Sequence, residues 1–566
     1  MKRAFFLGVS AMALACSTSA WADPAGAHRC AAHGAKSRQH NCSRPRRAAA
    51  SDGVHEEIAQ LRAEIADLRQ QLAEQSAATT RLAAAPPPAA PVPAPAVDTA
   101  SASATAIASL TQQNEELTRR IDKMEKPDHL PFKGIRITPG GFVEMTSIYR
   151  SNNTGADIAS SFNNIPFPQS RVANTHEYRM TARQSRLSLL VEGDPGKQTH
   201  LAMYGEFDFQ AAGVTANSNQ TNSYSPRIRH LYGTVDEKLN DDVTAHLLFG
   251  QNWSLATLNG KGITPRNEVT PPVVEAQYVP GFVFTRQPQL RLTVDVDRKW
   301  WFALSLENPQ TTFGGTVPAI ASLVTTVPAG SGFGGNGISE NALSINHYPD
   351  VIGKVAYEGA YAGGRTLHVE AFGMVRDFYE RLDGANRNFR GWGVGGGIAT
   401  QIVPGLLDVQ FSGIVGRGIG RYGASALPDV TFNPDGTLAP VREYMLLGGL
   451  TAHPTKTLDI YVFGGEESED AHYATVGGVN YGLGNPNFIG TGCLIEGSSL
   501  PCTVQTRAVK QLTAGFWQRM MQGPWGRVQA GIQYSHTLRD TFEVTQGGAP
   551  TAKEDIGFFS LRYYPF

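Results

Sequence analysis

Residues 201–210 read LAMYGEFDFQ. Leu201, Met203, Phe207 and Phe209 occupy alternate positions, with Tyr204, Glu206, Asp208 and Gln210 between them. A period of two places the first set on one face of a β-strand and the second on the other. The stretch is a strand with one apolar and one wet face. The fold then depends on how many such strands the chain holds and on what joins them.

The pattern recurs from about Gly140 to the end. In RLTVDVD, Leu292, Val294 and Val296 oppose Arg291, Thr293, Asp295 and Asp297; in TLHVEAFGMVR, Leu367, Val369, Ala371 and Val375 oppose His368, Glu370 and Arg376. LLDVQFSG, LDIYVFG and RVQAGIQYS alternate in the same way. Short turns rich in Gly, Pro, Asp and Asn fall at about 193–198, 237–242, 297–299, 359–364, 403–405, 453–456 and 522–526. Between them lie long connections near 151–175, 213–224, 252–285, 309–347, 379–388, 418–440, 467–505 and 539–553. Seven short turns and eight long loops imply sixteen strands.

Such a set fits a large soluble β architecture or a closed membrane barrel. Strands of roughly 9 to 13 residues, an even count and strictly alternating short and long connections favour the barrel. So do aromatics at strand ends, in Trp300-Trp301-Phe302, Phe516-Trp517, Trp525 and Tyr563-Tyr564, where interfacial girdles belong. The Gly-rich GWGVGGGIAT at 391–400 suits a face turned to lipid or to a neighbouring subunit. The expected fold class is all-β: a 16-stranded antiparallel transmembrane β-barrel over 135–566, preceded by an N-terminal α-helical coiled-coil stalk. The last stretch, IGFFSLRYYPF, is expected to be the closing strand, with Phe559, Leu561 and Tyr563 on one face and the end tied into the sheet. A terminal Phe566 with Tyr564 two residues before it looks like the signal read by barrel-assembly machinery, although Ser560 and Arg562 stand where that signal usually carries apolar residues.

Residues 1–126 read differently. Residues 1–22 have the cations, apolar run and Ala20-Trp21-Ala22 of a secretory signal peptide, with a lipoprotein site at Cys16 as the alternative. No later run is apolar and long enough for a membrane-spanning helix. Residues 23–50 form a basic tail, read as solvated or, alternatively, as contacting an anionic polymer or lipid. Over 51–78, Ile58, Ile65 and Leu72 fall at a and Leu61 and Leu68 at d of a heptad repeat. An Ala/Pro-rich linker at 79–104 follows, then a second coiled-coil segment at 105–126 carrying Ile107, Leu110, Asn114, Leu117, Ile121 and Met124. A periplasmic stalk that oligomerises is expected, with peptidoglycan as a candidate contact. The cysteines beyond the signal peptide pair locally as Cys30 with Cys42 and Cys493 with Cys502, both read as disulfides. His28, His33 and His40 beside the first pair offer a metal alternative, but the spacing matches no standard zinc pattern, so no metal is expected.

A sixteen-strand barrel is wide enough for an aqueous channel. By parity its inner face carries Arg186, Glu206, Asp208, Arg229, Arg291, His368, Glu370 and Arg376, either as a selectivity lining or simply as the wet side. Arg286 has the wrong parity unless Pro288 introduces a bulge. The third long loop, 252–285, is expected to fold inward and narrow the pore. A net charge of −1 argues against a nucleic-acid partner. Without G-x-S-x-G, H-E-x-x-H or paired CxxC sites, neither catalytic residues nor a cofactor are expected. Two alternatives stay open: an outer-membrane to cell-wall tether anchored by the barrel, and a hydrolase built from separate strands. EESED at 466–470 is read as a solvated loop, with divalent-cation binding as the alternative.

Four stretches resemble the DcaP-like outer-membrane porins: Arg227-Ile228-Arg229-His230, Gly250-Gln251-Asn252-Trp253-Ser254, Arg286-Gln287-Pro288-Gln289-Leu290-Arg291, and Arg562-Tyr563-Tyr564-Pro565-Phe566. The resemblance implies a homotrimer in outer-membrane lipid and lipopolysaccharide. It also implies passive uptake of small, preferably anionic solutes such as dicarboxylates.

Overall fold

The computed structural model describes residues 70, 129–211, 225–316, 326–327 and 343–566. The signal peptide, basic tail, linker, Cys30 and Cys42 lie outside the described residues, as do both heptad segments apart from helical Gln70. The chain divides into two units, Met1–Lys126 and Pro127–Phe566, and the second is the barrel.

Its strands are β1 (Ile135–Arg150), β2 (Glu177–Thr181 and Arg186–Gly193), β3 (Thr199–Ala211), β4 (Ser225–Lys238), β5 (Val243–Trp253), β6 (Arg286–Val296), β7 (Trp300–Glu307) and β8 (Asp350–Tyr361). The second half comprises β9 (Arg365–Leu382), β10 (Ala385–Val403), β11 (Leu407–Arg417), β12 (Arg442–Thr455), β13 (Leu458–Glu469), β14 (Thr506–Gly523), β15 (Gly526–Thr541) and β16 (Thr551–Tyr564). Each pairs antiparallel with its sequence neighbours, and β1 pairs with β16, so the sheet closes with 16 strands and no free edge. At the seam Glu144 stands opposite Arg562, and the two form an ion pair of 3.1 Å on the inner face. The outer face carries the exposed alternate residues, among them Leu201, Met203, Leu290, Leu292, Val369, Val394, Phe411 and Phe559.

Several expectations need correction. The connection at 379–388 is not a loop: β9 and β10 stay paired until a two-residue turn at Asp383 and Gly384, both with positive φ (52° and 76°), as a twisted hairpin requires. EESED is not a solvated loop either, since Glu466 to Glu469 complete β13 and Glu467 is fully buried. Of the aromatics assigned to a girdle, Trp300, Phe302, Trp525 and Tyr563 are exposed, but Trp301 and Trp517 are buried on the inner face. Gly391, Gly393, Gly395 and Gly397 also share the inner face, where an added Cβ would strike Phe378, Met374, Phe372 or Leu258. These four glycines make room for large lumen side chains. The sheet ends at Tyr564, so Phe566 is not tied into it and stands 67% exposed.

The long loops are built, not slack. Residues 472–483 form a hairpin, and Cys493 and Cys502 are joined by a disulfide within the same connection. Cys493 packs there with Ile165, Phe167, Val504 and Val544, drawing three external loops together.

Candidate channel constriction

Loop 254–285 enters the barrel and is fastened around its wall. The Leu255 amide donates to Glu307 on β7 (2.8 Å), Lys354 Nζ on β8 donates to the Thr257 carbonyl (2.7 Å), and the Asn259 amide donates to Glu370 on β9 (3.1 Å). Across the lumen, the Trp517 indole on β14 donates to the Pro272 carbonyl (2.7 Å), Gln533 on β15 accepts from the Val274 amide (2.5 Å), and Glu467 on β13 accepts from the Gly281 amide (2.7 Å). Gly281 has φ +93° and lies against the Leu446 carbonyl, a place where no Cβ fits. Val274, Tyr278, Val279, Phe282 and Phe284 then pack on Ile148, Leu447, Tyr461, Phe463 and Phe558 of the inner wall. A loop with this many buried apolar contacts and satisfied amides is a fixed part of the barrel.

Two of the sequence-derived residues serve this fastening. His368 is held between Glu358 and Glu370 (2.6 and 3.0 Å), and Glu370 also binds Lys354 Nζ at 2.6 Å, so this group is internally compensated beneath the loop. Arg376 is saturated in another place: it pairs with Asp350 (3.1 Å) and Asp429 (2.5 Å) and donates to the carbonyls of Gly418 and Gln310. It anchors loop 418–441. Arg291 donates to the Trp253 carbonyl at 2.6 Å and to Gln289, holding the root of the inward loop from behind. Parity placed these four on the inner face, where the wall uses them to seat loops.

The remaining five converge. Arg229 pairs with Glu206 (2.5 Å) and Asp208 (3.1 Å), Arg227 reaches Asp208 (2.6 Å), and Arg186 stands 3.8 Å from Glu206. Arg286 lies over the Trp253 ring, 5.0 Å from its centroid. Pairing runs unbroken from Gln251–Pro288 to Trp253–Arg286, so no bulge at Pro288 turns Arg286 inward. Instead it is the first residue of β6, opposite the point where Trp253 leaves with the inward loop. A bulge does occur on β4: Glu206 pairs with His230 and Phe207 with Ile228, leaving Arg229 as the extra residue, so Arg229 and His230 are both buried.

Facing this wall are three loop residues that periodicity could not single out: Arg266, Glu268 and Tyr278. Together they enclose a cavity of about 190 Å³ with Arg186, Glu206 and Arg229 on its far side. Arg266 lies over the Tyr204 ring at 5.8 Å. Burial pushes the Glu268 carboxyl above its ordinary value. Burial also pushes the Tyr278 phenol up, but the guanidinium groups of Arg229, Arg186 and Arg286 outweigh it and hold the phenol below its usual 10.0. Phenolate absorbance is therefore expected at lower pH from Tyr278 than from the other tyrosines. A difference titration against Tyr278→Phe that shows no early component would contradict this arrangement. Five arginines (186, 227, 229, 266 and 286) meet three carboxylates (Glu206, Asp208 and Glu268) at this level, leaving an excess of positive charge.

Among the described residues no group of three or more His, Cys, Asp or Glu is arranged to hold a metal ion, and no helix is long and apolar enough to cross a membrane.

A closed sixteen-strand barrel with an apolar outer face and an inward third loop has the architecture of the porin-type outer-membrane barrels. Its fold is shared with the outer membrane channel DcaP of Acinetobacter baumannii, which matches with a TM-score of 0.54 and 18% identity over 77% of this chain and 99% of that one. Salmonella typhi OmpF, solved with daunomycin, aligns at TM-score 0.42 and 10% identity over 77% of this chain and 99% of its own. An anion-selective porin from Comamonas acidovorans aligns at 0.39 and 10% over 76% and 99%. No family model and no curated protein matches the chain.

Proposed function

We propose that the protein is a porin forming a trimeric, water-filled channel for passive diffusion of small hydrophilic solutes, with a preference for anions such as dicarboxylates. Loop 254–285 is its constriction. The observation that carries the reading is the meeting of Arg186, Arg229 and Arg286 around Tyr278, where the inward loop faces the wall. Guanidinium groups at a narrowing attract carboxylates and repel cations, most strongly where low-dielectric walls focus the field. Arg229 spends its charge on Glu206 and Asp208, so Arg186 and Arg286 supply the larger share of the free attraction. The expected partners are two further copies of the chain, the surrounding lipid and the solutes, and no cofactor takes part.

Solute uptake into liposomes tests this reading. A small dicarboxylate is expected to enter faster than a neutral polyol of similar size, and a diamine slowest. Equal rates for all three would leave an unselective pore. A rate order led by the diamine would refute the anion preference.

A further inference from the structure

Below the constriction the lumen carries a second arrangement of charge that the arginine cluster does not explain. His200, His246 and His453 all lie near the short-turn ends of their strands and face inward, and each has both ring nitrogens against carboxylates. His200 Nδ1 meets Asp194 at 2.7 Å and Nε2 meets Glu192 at 3.5 Å. His246 Nδ1 meets Asp236 at 2.8 Å and Nε2 meets Asp295 at 3.1 Å. His453 Nδ1 meets Asp459 at 2.6 Å and Nε2 meets Asp408 at 3.2 Å. Ionised carboxylates only accept hydrogen bonds, and a neutral imidazole has one donor, so at His246 and His453, where both contacts are hydrogen bonds, the two hold together only when the ring is an imidazolium; His200 makes one such bond, to Asp194, and a looser contact to Glu192. His368 is held in the same way but is 1% exposed beneath the inward loop, away from the lumen.

His453 and His200 each border a cavity, and the carboxylates that hold His246, Asp236 and Asp295, border the same one as His200. Asp408 and His453 line a cavity of about 360 Å³ roofed by Thr270 and Pro272 of the inward loop, and Thr270 also borders the arginine cavity. Asp408 Oδ1 is buried there without a hydrogen-bond partner. His200, with Asp236 and Asp295, borders a second cavity of about 450 Å³.

We propose that His200, His246 and His453, with their six carboxylates, form a second selectivity station whose charge changes with pH and sets how readily anions pass the short-turn end of the barrel. The proposal rests on the channel reading above. Two permanent cations touch the station, Arg136 on Asp194 and Arg519 on Asp459. With the imidazoles protonated, six carboxylates face five cations; with them neutral, six face two. Lys197, Lys238 and Arg298 beside Asp241, Asp242 and Asp297 border the His200 cavity and add no net charge. An imidazole is the side chain whose charge ordinarily changes between pH 5 and 8, so the added negative charge arrives inside that window. Anion passage is favoured in acid and opposed in mild alkali, while the arginines stay charged throughout.

The test is the reversal potential of the purified full-length protein in planar bilayers under a potassium chloride gradient, from about pH 5 to about pH 8. The anion-to-cation permeability ratio is expected to fall about two- to fivefold over this range, as screened charges at a wide mouth allow. The H200Q/H246Q/H453Q variant is expected to lose most of that fall. H246K/H453K, which keeps a cation at two positions, should hold the acid-side ratio at the alkaline end. If the triple variant does not fold, as judged by heat-shifted migration, His453→Gln alone should remove about a third of the fall, one of three equivalent charges. A wild-type ratio flat in pH, or variants that keep the full fall, would overturn the station while leaving the channel reading intact. Silence at every pH would end both.

Discussion

Replacing Arg186 and Arg286 together by alanine is expected to lower the anion-to-cation permeability ratio about tenfold, with single-channel conductance changed far less. The magnitude follows from two unit charges a few Å from a passing ion, each contributing about 0.7 kcal/mol when water and salt share the narrowing. Arg186 stands 3.8 Å from Glu206, a loose pairing, and Arg286 lies over the Trp253 ring. Arg229 is the informative contrast. Its guanidinium is 2% exposed and bound to Glu206 and Asp208, so Arg229→Ala would strand two carboxylates and disturb the wall as well as the charge. A selectivity unchanged in the double variant would remove these arginines from the mechanism, whatever the barrel conducts.

The second large effect is structural. Arg376→Ala is expected to destabilise the folded barrel by about 3–5 kcal/mol and to release loop 418–441, because it leaves Asp429 buried without its cation and Asp350 with only the looser contact to Arg421 at 3.8 Å. The same guanidinium lies over the rings of Phe378 and Tyr422, at 4.9 and 5.2 Å, and donates to the loop carbonyls of Gly418 and Gln310. Arg376→Lys keeps the charge but not the fork and should recover only part of the loss. Urea unfolding of the reconstituted protein, with limited proteolysis within 418–441, measures both parts. A variant as stable and as protease-resistant as the parent would show that the loop is held elsewhere.

What could be read from the sequence divides along a physical line. A barrel strand has lipid on one side and the lumen on the other, so its sequence must alternate, and Leu290, Arg291, Leu292 and Thr293 report their faces directly. The strand count followed from that alternation and from the rhythm of the turns. Inside the lumen the environment changes on both sides of the chain at once. Loop 254–285 is buried against the wall all round, so Tyr278, Arg266 and Glu268 carry no period to betray their direction. Parity put Arg376 and His368 on the inner face, but only tertiary partners distinguish a saturated anchor from a free charge. His230 was missed for a more local reason, although adjacent Arg229 and His230 do break the alternation, which is how a bulge shows itself in sequence. The position of Arg286 depended on where a strand ends, the feature that pattern reading resolves least well.

The most direct test of the channel account is the reversal potential of the purified wild-type protein in a planar bilayer under a salt gradient at neutral pH. The account predicts conductance in groups of three equal steps and a potential of anionic sign, because five arginines face three carboxylates at the inward loop. A well-folded protein that conducts with cationic sign, or does not conduct at all, would contradict it.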